Sequence, residues 1–249
     1  MILEKITSKL LKDITVRNYN KNSNYIGQDV IVKYLLNIKK LYKDSGELIY
    51  KNYLNVYYNK EASELLDIDK DYIINKLNNE KIILIDNSLY NLLSNKGKES
   101  LKRQIIFSLK NIREYLFDTN LILLGNINYS FLGKNKVNIY NNREDFNFYK
   151  YKGVILDPYG DEVLKDDDIK KYDLFIFGGI VDIDLKWQYA THYLFKDIDF
   201  PHKRIEINNS IKNVPDRINI LIKIILDSYY LNIPLEKAVV NNMPKKFRY

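Results

Sequence analysis

The chain has 249 residues, of which 46% are apolar and 29% charged, an ordinary balance for a folded protein with room for one large core or two smaller ones. Its lack of cysteine excludes disulfides, thiolate metal sites and cysteine nucleophiles, and fits a reducing compartment. The net charge of +7 is uneven: residues 81–155 carry 12 basic and 6 acidic side chains, residues 156–249 carry 14 and 15. That middle excess suits phosphate contacts to a polyanion, or a solvated lysine-rich surface. No apolar run approaches the roughly 20 residues needed to span a bilayer. The N-terminus mixes Lys and Glu with its apolar residues and lacks the shape of a secretory signal, so a cytoplasmic location is expected.

Residues 1–79 read as a small α/β accessory domain without a chemical signature. Asp29 to Leu41 has apolar residues at helical spacing with Asp29 in N-cap position. Asp44-Ser-Gly46 reads as a turn, Leu48 to Tyr58 as a strand, and Asp69 to Leu77 as a second helix.

From residue 80 the pattern changes to alternating strand and helix. Ile82–Ile85 and Leu121–Leu124 are continuous apolar runs, as expected of strands buried on both faces of a parallel sheet. Between them, Leu101, Ile105, Leu109, Ile112 and Leu116 form one stripe of a helix predicted over Ser100 to Phe117. Asn126 to Lys152 is polar and tyrosine-rich, with little regular pattern. Two further strands, Val154–Leu156 and Leu174–Phe177, each run into a turn bearing glycine and carboxylates, Asp157-Pro-Tyr-Gly-Asp161 and Gly178-Gly-Ile-Val-Asp182. A short helix around Asp166 to Lys171 separates them. Arg204–Ile207 is a fifth strand, and Pro215 opens a helix running to about Tyr230. The fold class is α/β, with a parallel sheet covered by helices on both faces. Ligands of such sheets bind at the carboxyl ends of the strands, where Gly178–Asp182 falls. Neither a Gly-x-Gly-x-x-Gly fingerprint nor a Walker loop is present.

Taken in order, Ile85-Asp86, Ser100-Leu-Lys-Arg-Gln104, Val154 to Asp161, Phe177-Gly-Gly-Ile-Val-Asp182, Pro201 and Val214-Pro-Asp-Arg-Ile-Asn219 resemble the SPOUT-class tRNA methyltransferases that modify N1 of the purine at tRNA position nine. The archaeal branch is the most similar, and the resemblance covers roughly residues 80–240. It implies a SPOUT-type parallel sheet closed by a C-terminal trefoil knot, an exception to the general absence of knots, over residues 80–249. It further implies S-adenosyl-L-methionine as cofactor, tRNA as partner and a monomer. The cofactor loops map onto Leu124-Gly125, Phe177, Gly178, Gly179 and Val181, and Ile207, Asn208 and Val214. Ile180, Ile207 and Val214 are placed to pack on the adenine faces.

Methyl transfer to N1 of guanine must dispose of a proton, whereas methylated N1 of adenine leaves a cation that a carboxylate stabilises. Asp182 is the catalytic candidate for either role, with capping of a following helix as its alternative. Asp157 and Asp161 either orient the knot loops or bind ribose, or only form the turn around Pro158-Tyr159-Gly160. The candidate RNA contacts are Gln104, Arg113, Lys134, Lys136 and Arg143, with Gln104 otherwise an exposed helical residue. His192 and His202 stand ten residues apart without a metal-like partner, and no metal is expected. Rival readings are a SPOUT methyltransferase with another RNA target and a non-catalytic RNA-binding subunit.

Overall fold

A computed structural model describes residues 1–181, 189–207 and 214–243. These fall into two compact units. The first comprises Met1–Glu80 with Arg113–Asp118 and Lys134–Lys136, the second Lys81–Ile112, Thr119–Gly133 and Val137–Tyr249.

The first unit contains α1 (Ile2–Thr7), β1 (Asp13–Val16), α2 (Ile26–Leu35), β2 (Leu41–Tyr42), β3 (Glu47–Lys51), β4 (Asn55–Tyr58), β5 (Leu65–Leu66) and α3 (Lys70–Lys76). Its strands form a mixed sheet of order β3-β4-β1-β2-β5. The helix predicted from Asp29 starts three residues earlier and ends at Leu35. Asn37 takes a left-handed φ of 55°, which lets the Ile38 amide donate back to the Lys33 carbonyl at 2.8 Å and closes the helix with a Schellman-type turn. The strand predicted over Leu48–Tyr58 is a hairpin, β3 pairing antiparallel with β4 across Asn52–Leu54. Helix α3 begins as expected, with Asp69 accepting from the Tyr72 amide at 2.8 Å.

The second unit carries β6 (Ile82–Asp86), α4 (Asn95–Tyr115), β7 (Leu121–Leu124), β8 (Asn138–Tyr140), β9 (Gly153–Leu156), β10 (Glu162–Val163), α5 (Asp166–Lys171), β11 (Leu174–Gly178), α6 (Ala190–Leu194), β12 (His202–Arg204), α7 (Ile218–Tyr230) and α8 (Leu235–Asn242). The last three residues of α4 group with the first unit. Seven strands form one sheet of order β10-β12-β9-β11-β6-β7-β8, and every pairing in it is parallel. The four apolar runs are its centre. Alternating side chains place Leu84, Ile122, Ile155 and Ile176 in one cluster with Phe146, Phe148 and Phe195. Ile83, Ile85, Phe175 and Phe177 point the other way and are equally buried, so both faces are covered. The helical stripe Leu101, Ile105, Leu109, Ile112 and Leu116 is buried throughout.

Four details differ from expectation. The polar stretch 126–152 supplies an edge strand, β8, and two core phenylalanines, Phe146 and Phe148. A two-residue strand, β10, forms the other edge. The fifth predicted strand lies two residues earlier, because His202 and Lys203 pair with Ile155 and Leu156. Helix α7 starts at Ile218 and not at Pro215.

From β6 the chain steps outward to β7 and β8, then returns to β9 and β11 on the other side of β6. Adjacent strands β6 and β11 therefore mark the point where strand order reverses, and their carboxyl ends open the crevice where open α/β sheets bind ligands.

Tyr34 of α2 tests the first unit separately. Its hydroxyl donates to Asp67 at 2.5 Å and accepts from the Ile68 amide at 2.8 Å. Burial, and then the Asp67 hydrogen bond, push the phenol up to about 12. The folded state thus favours the protonated form, and the resulting stability is complete below pH 10 and lost as pH rises from about 10 to 12. Urea midpoints for the chain should fall over that window, and Tyr34→Phe should flatten the fall.

Candidate functional site at the strand-order switch

The crevice is levelled by register. Gly178 pairs with Asp86, Asp86 with Leu124, and Phe177 with Leu156. Three strands therefore end at one height and hand their chains to short turns. The Gly179 amide donates to the Asp86 carbonyl at 2.7 Å, and the Asn87 amide to the Leu124 carbonyl at 2.9 Å. Two of the glycines are required here. A Cβ on Gly179 would lie 2.3 Å from Asn87 Oδ1 and 2.8 Å from the Asp86 carbonyl oxygen. Gly125 has φ +109°, where a side chain is strained, and its Cβ would lie 2.9 Å from the Asn87 carbonyl carbon.

Buried polar groups gather around these turns. Asp86 and Asn87 are 0% and 1% exposed. Asp86 Oδ1 accepts from Ser88, amide at 2.9 Å and hydroxyl at 2.5 Å. Its Oδ2 stands 3.5 Å from Arg143 Nε and has no hydrogen-bond partner among the described residues. Asn87 donates through Nδ2 to the Tyr129 hydroxyl at 3.0 Å, while its Oδ1 is unpartnered among the described residues. Tyr129 reaches the Leu124 carbonyl at 3.2 Å, and burial pushes its phenol well up. Unpaired buried acceptors cost free energy. Asp86 Oδ2, facing Arg143, and Asn87 Oδ1 are two such acceptors at these turns.

The predicted cofactor residues Leu124, Gly125, Phe177, Gly178, Gly179 and Val181 are therefore brought together at the ends of β7 and β11. Ile207 is buried just beyond β12, and Val214 is half-buried. Asp182 and Asn208 lie outside the described residues. Asp86, Asn87 and Tyr129 were not predicted as site residues. The resemblance does include Asp86, and a strand ending in Asp-Asn at a switch point was the available signal.

The predicted RNA contacts scatter. Gln104 is 8% exposed, not on the helix surface, and its Oε1 accepts from the Ile218 amide at 2.8 Å. It satisfies the first amide of α7 in place of an N-cap side chain. Arg113, Lys134 and Lys136 fall in the first unit. Arg113 makes a two-point pair with buried Asp118 at 2.7 and 2.8 Å, so its guanidinium is largely committed. Lys134 donates to the Asn37 carbonyl at 3.0 Å and remains exposed, as does Lys136. Arg143 turns inward. It donates to the Leu194 carbonyl at 2.6 Å and lies 5.0 Å from the Phe195 ring centre, beside Asp86. Asp157, 1% exposed, uses one oxygen to hold its own turn, accepting from the Tyr159 amide at 3.0 Å.

An all-parallel seven-stranded sheet whose strand order reverses between β6 and β11 defines an α/β protein with its candidate site at the switch point. No protein-family model matches the chain. It is 34% identical over 165 residues to the tRNA (adenine(9)-N1)-methyltransferase of Sulfolobus acidocaldarius, across 66% of this chain and 55% of that one, so it spans about half the length of that curated relative. The crystal structure of Sulfolobus acidocaldarius Trm10 aligns with a TM-score of 0.72 at 28% identity, covering 97% of this chain and 98% of the other. The same protein in complex with S-adenosylhomocysteine aligns at 0.73 and 24% identity, over 99% and 86%. A dual-specific Trm10 from Thermococcus kodakaraensis shares the fold at 0.55 and 24% identity, over 66% of this chain and 99% of that one. The chain is similar in sequence and in fold to these Trm10 proteins, and its parallel α/β sheet fits a SPOUT-like fold.

Two substitutions test the geometry. Gly179→Ala forces a methyl group onto Asn87 and should cost about 1–3 kcal/mol by overpacking, read as a lower urea midpoint with unchanged slope. Gln104→Ala removes the acceptor for the Ile218 amide and should cost about 1–3 kcal/mol. Full stability in Gln104→Ala would mean that its carboxamide does not hold α7.

Proposed function

We propose that the chain is an S-adenosylmethionine-dependent tRNA methyltransferase acting on N1 of adenine, guanine or both at position nine. The observation that carries this reading is the juxtaposition of Gly178-Gly179 with Asp86-Asn87 at the strand-order switch, in a chain 34% identical to an enzyme named for that reaction. What supports a cofactor there is the level ends of β6, β7 and β11, with the buried oxygens Asp86 Oδ2, which faces Arg143 at 3.5 Å, and Asn87 Oδ1 lacking hydrogen-bond partners among the described residues. When bound, the cofactor supplies an electrophilic methyl group. The chain's own residues hold the two reactants in line and exclude water.

Asp182 is proposed as the carboxylate that takes the N1 proton of guanine or steadies the cation formed on adenine. Its support is its position, three residues after Gly179 in the sequence. A C-terminal trefoil knot, a tRNA-binding role for residues 1–79, a monomeric state and a cytoplasmic location complete the proposal. No helix among the described residues is long and apolar enough to cross a membrane. The exposed lysines Lys134 and Lys136 remain candidates for phosphate contact.

Transcripts carrying A or G at position nine, incubated with protein and cofactor and digested to nucleosides for mass spectrometry, should yield N1-methylated purine at that position. Cofactor binding by calorimetry without methylation of either transcript would favour another RNA target, and absent cofactor binding a non-catalytic subunit. Asp182→Asn should lower methylation by about 10²-fold or more, the typical contribution of a proton-transfer group, while tRNA binding is retained. An unchanged rate at saturating cofactor removes Asp182 from the chemistry. Affinity for tRNA should fall steeply between 50 and 200 mM salt, as released counterions require.

A further inference from the structure

The chain's two histidines meet. They are ten residues apart in sequence, one on α6 and one opening β12, yet their ring centres lie 5.0 Å apart. Asp157, at the end of β9, completes a trio whose ligating atoms all lie within 4.8 Å of one another. His202 is the anchored member: its Nδ1 is 2.9 Å from Asp157 Oδ2, and its side chain is only 14% exposed. Asp157 is fixed in turn by the Tyr159 amide on its other oxygen. His192 is exposed at the surface, so one corner of the trio opens to solvent.

From this geometry we infer a binding site for a divalent transition metal of the zinc, cobalt and nickel type, formed by Asp157, His192 and His202 and completed by water. Two imidazoles and one carboxylate are ligands that such ions favour, and three protein ligands with an open position are a recurrent zinc arrangement. Ligands about 2.0–2.1 Å from a metal stand roughly 3–3.5 Å from one another. The Asp157–His202 edge already has nearly that length. The wider separations close if the exposed His192 side chain moves inward by about 1–2 Å, which a rotamer change on a five-residue helix allows. The His202 ring then carries its proton on Nε2, leaving the Nδ1 lone pair for the ion. The chain has no cysteine and no third histidine, so few other groups compete for a borderline metal. Sequence spacing hid the site because His202 and Asp157 are joined only by the pairing of β12 with β9. A bound ion would clip α6 to the ends of both strands.

The test is metal titration of the full, untagged chain. Co²⁺ should produce visible d–d absorption that saturates at one equivalent and is displaced by Zn²⁺, and Zn²⁺ should raise Tm. His192→Ala, a surface change that leaves the Asp157–His202 pair in place, should weaken binding by at least about tenfold. Asp157→Asn should weaken it as well, with circular dichroism checking that this buried change leaves the fold intact. No saturable Co²⁺ signal up to about 1 mM, or the same signal in His192→Ala, overturns the site. Because the readout is metal occupancy, its failure is distinct from failure of the methyltransferase reading.

Discussion

The 2.7 Å hydrogen bond from the Gly179 amide to the Asp86 carbonyl holds the candidate site together. It continues the β6–β11 ladder one residue past Gly178, so the two strands flanking the switch point turn away only after their ends have been locked side by side. That lock is possible because residue 179 has no side chain, since a Cβ would stand 2.3 Å from Asn87 Oδ1. Beside this close approach lie two buried oxygens without a hydrogen-bond partner among the described residues, Asn87 Oδ1 and Asp86 Oδ2, the second facing Arg143 Nε at 3.5 Å. Such acceptors are a cost to folding and an invitation to a ligand. Stability and binding therefore oppose each other here, as is common at functional sites.

How much of this was legible beforehand depended on how local the determinant was. The four central strands were readable because residues covered on both faces must all be apolar, and Ile82–Ile85, Leu121–Leu124, Val154–Leu156 and Leu174–Phe177 satisfy that without ambiguity. Edge strands obey no such rule. Asn138–Tyr140 and Glu162–Val163 are short and half polar, and a neighbour's free edge, not their composition, recruits them. The end of α2 departs from the sequence pattern because Ile38 and Leu41 continue the helical spacing past Asn37, while the left-handed turn at Asn37 overrides it.

At the site, the glycine turns were visible as motifs, but the unpartnered oxygens of Asp86 and Asn87 were not. An unpaired atom is a property of the whole surrounding shell, which no single stretch of chain displays. The same holds for the basic residues. Arg113 and Arg143 read as free cations in sequence, yet one is bound to Asp118 and the other lies beside Asp86 under Phe195. Charge counts locate an electrostatic excess but do not say which guanidinium is available. Gln104 is the sharpest instance, a polar residue on a helix whose carboxamide faces inward because its partner, the Ile218 amide, lies 114 positions away.

That last bond also bears on the order in which the chain acquires structure. Helix α7 has no side-chain cap of its own at Arg217, so its first turn relies on an acceptor made much earlier in the chain. Closing a loop of that length is costly in entropy and is recovered only when the intervening strands have already paired. The α4–α7 contact, reinforced by Asn111 donating to the Asn219 carbonyl at 2.7 Å, thus acts as a latch.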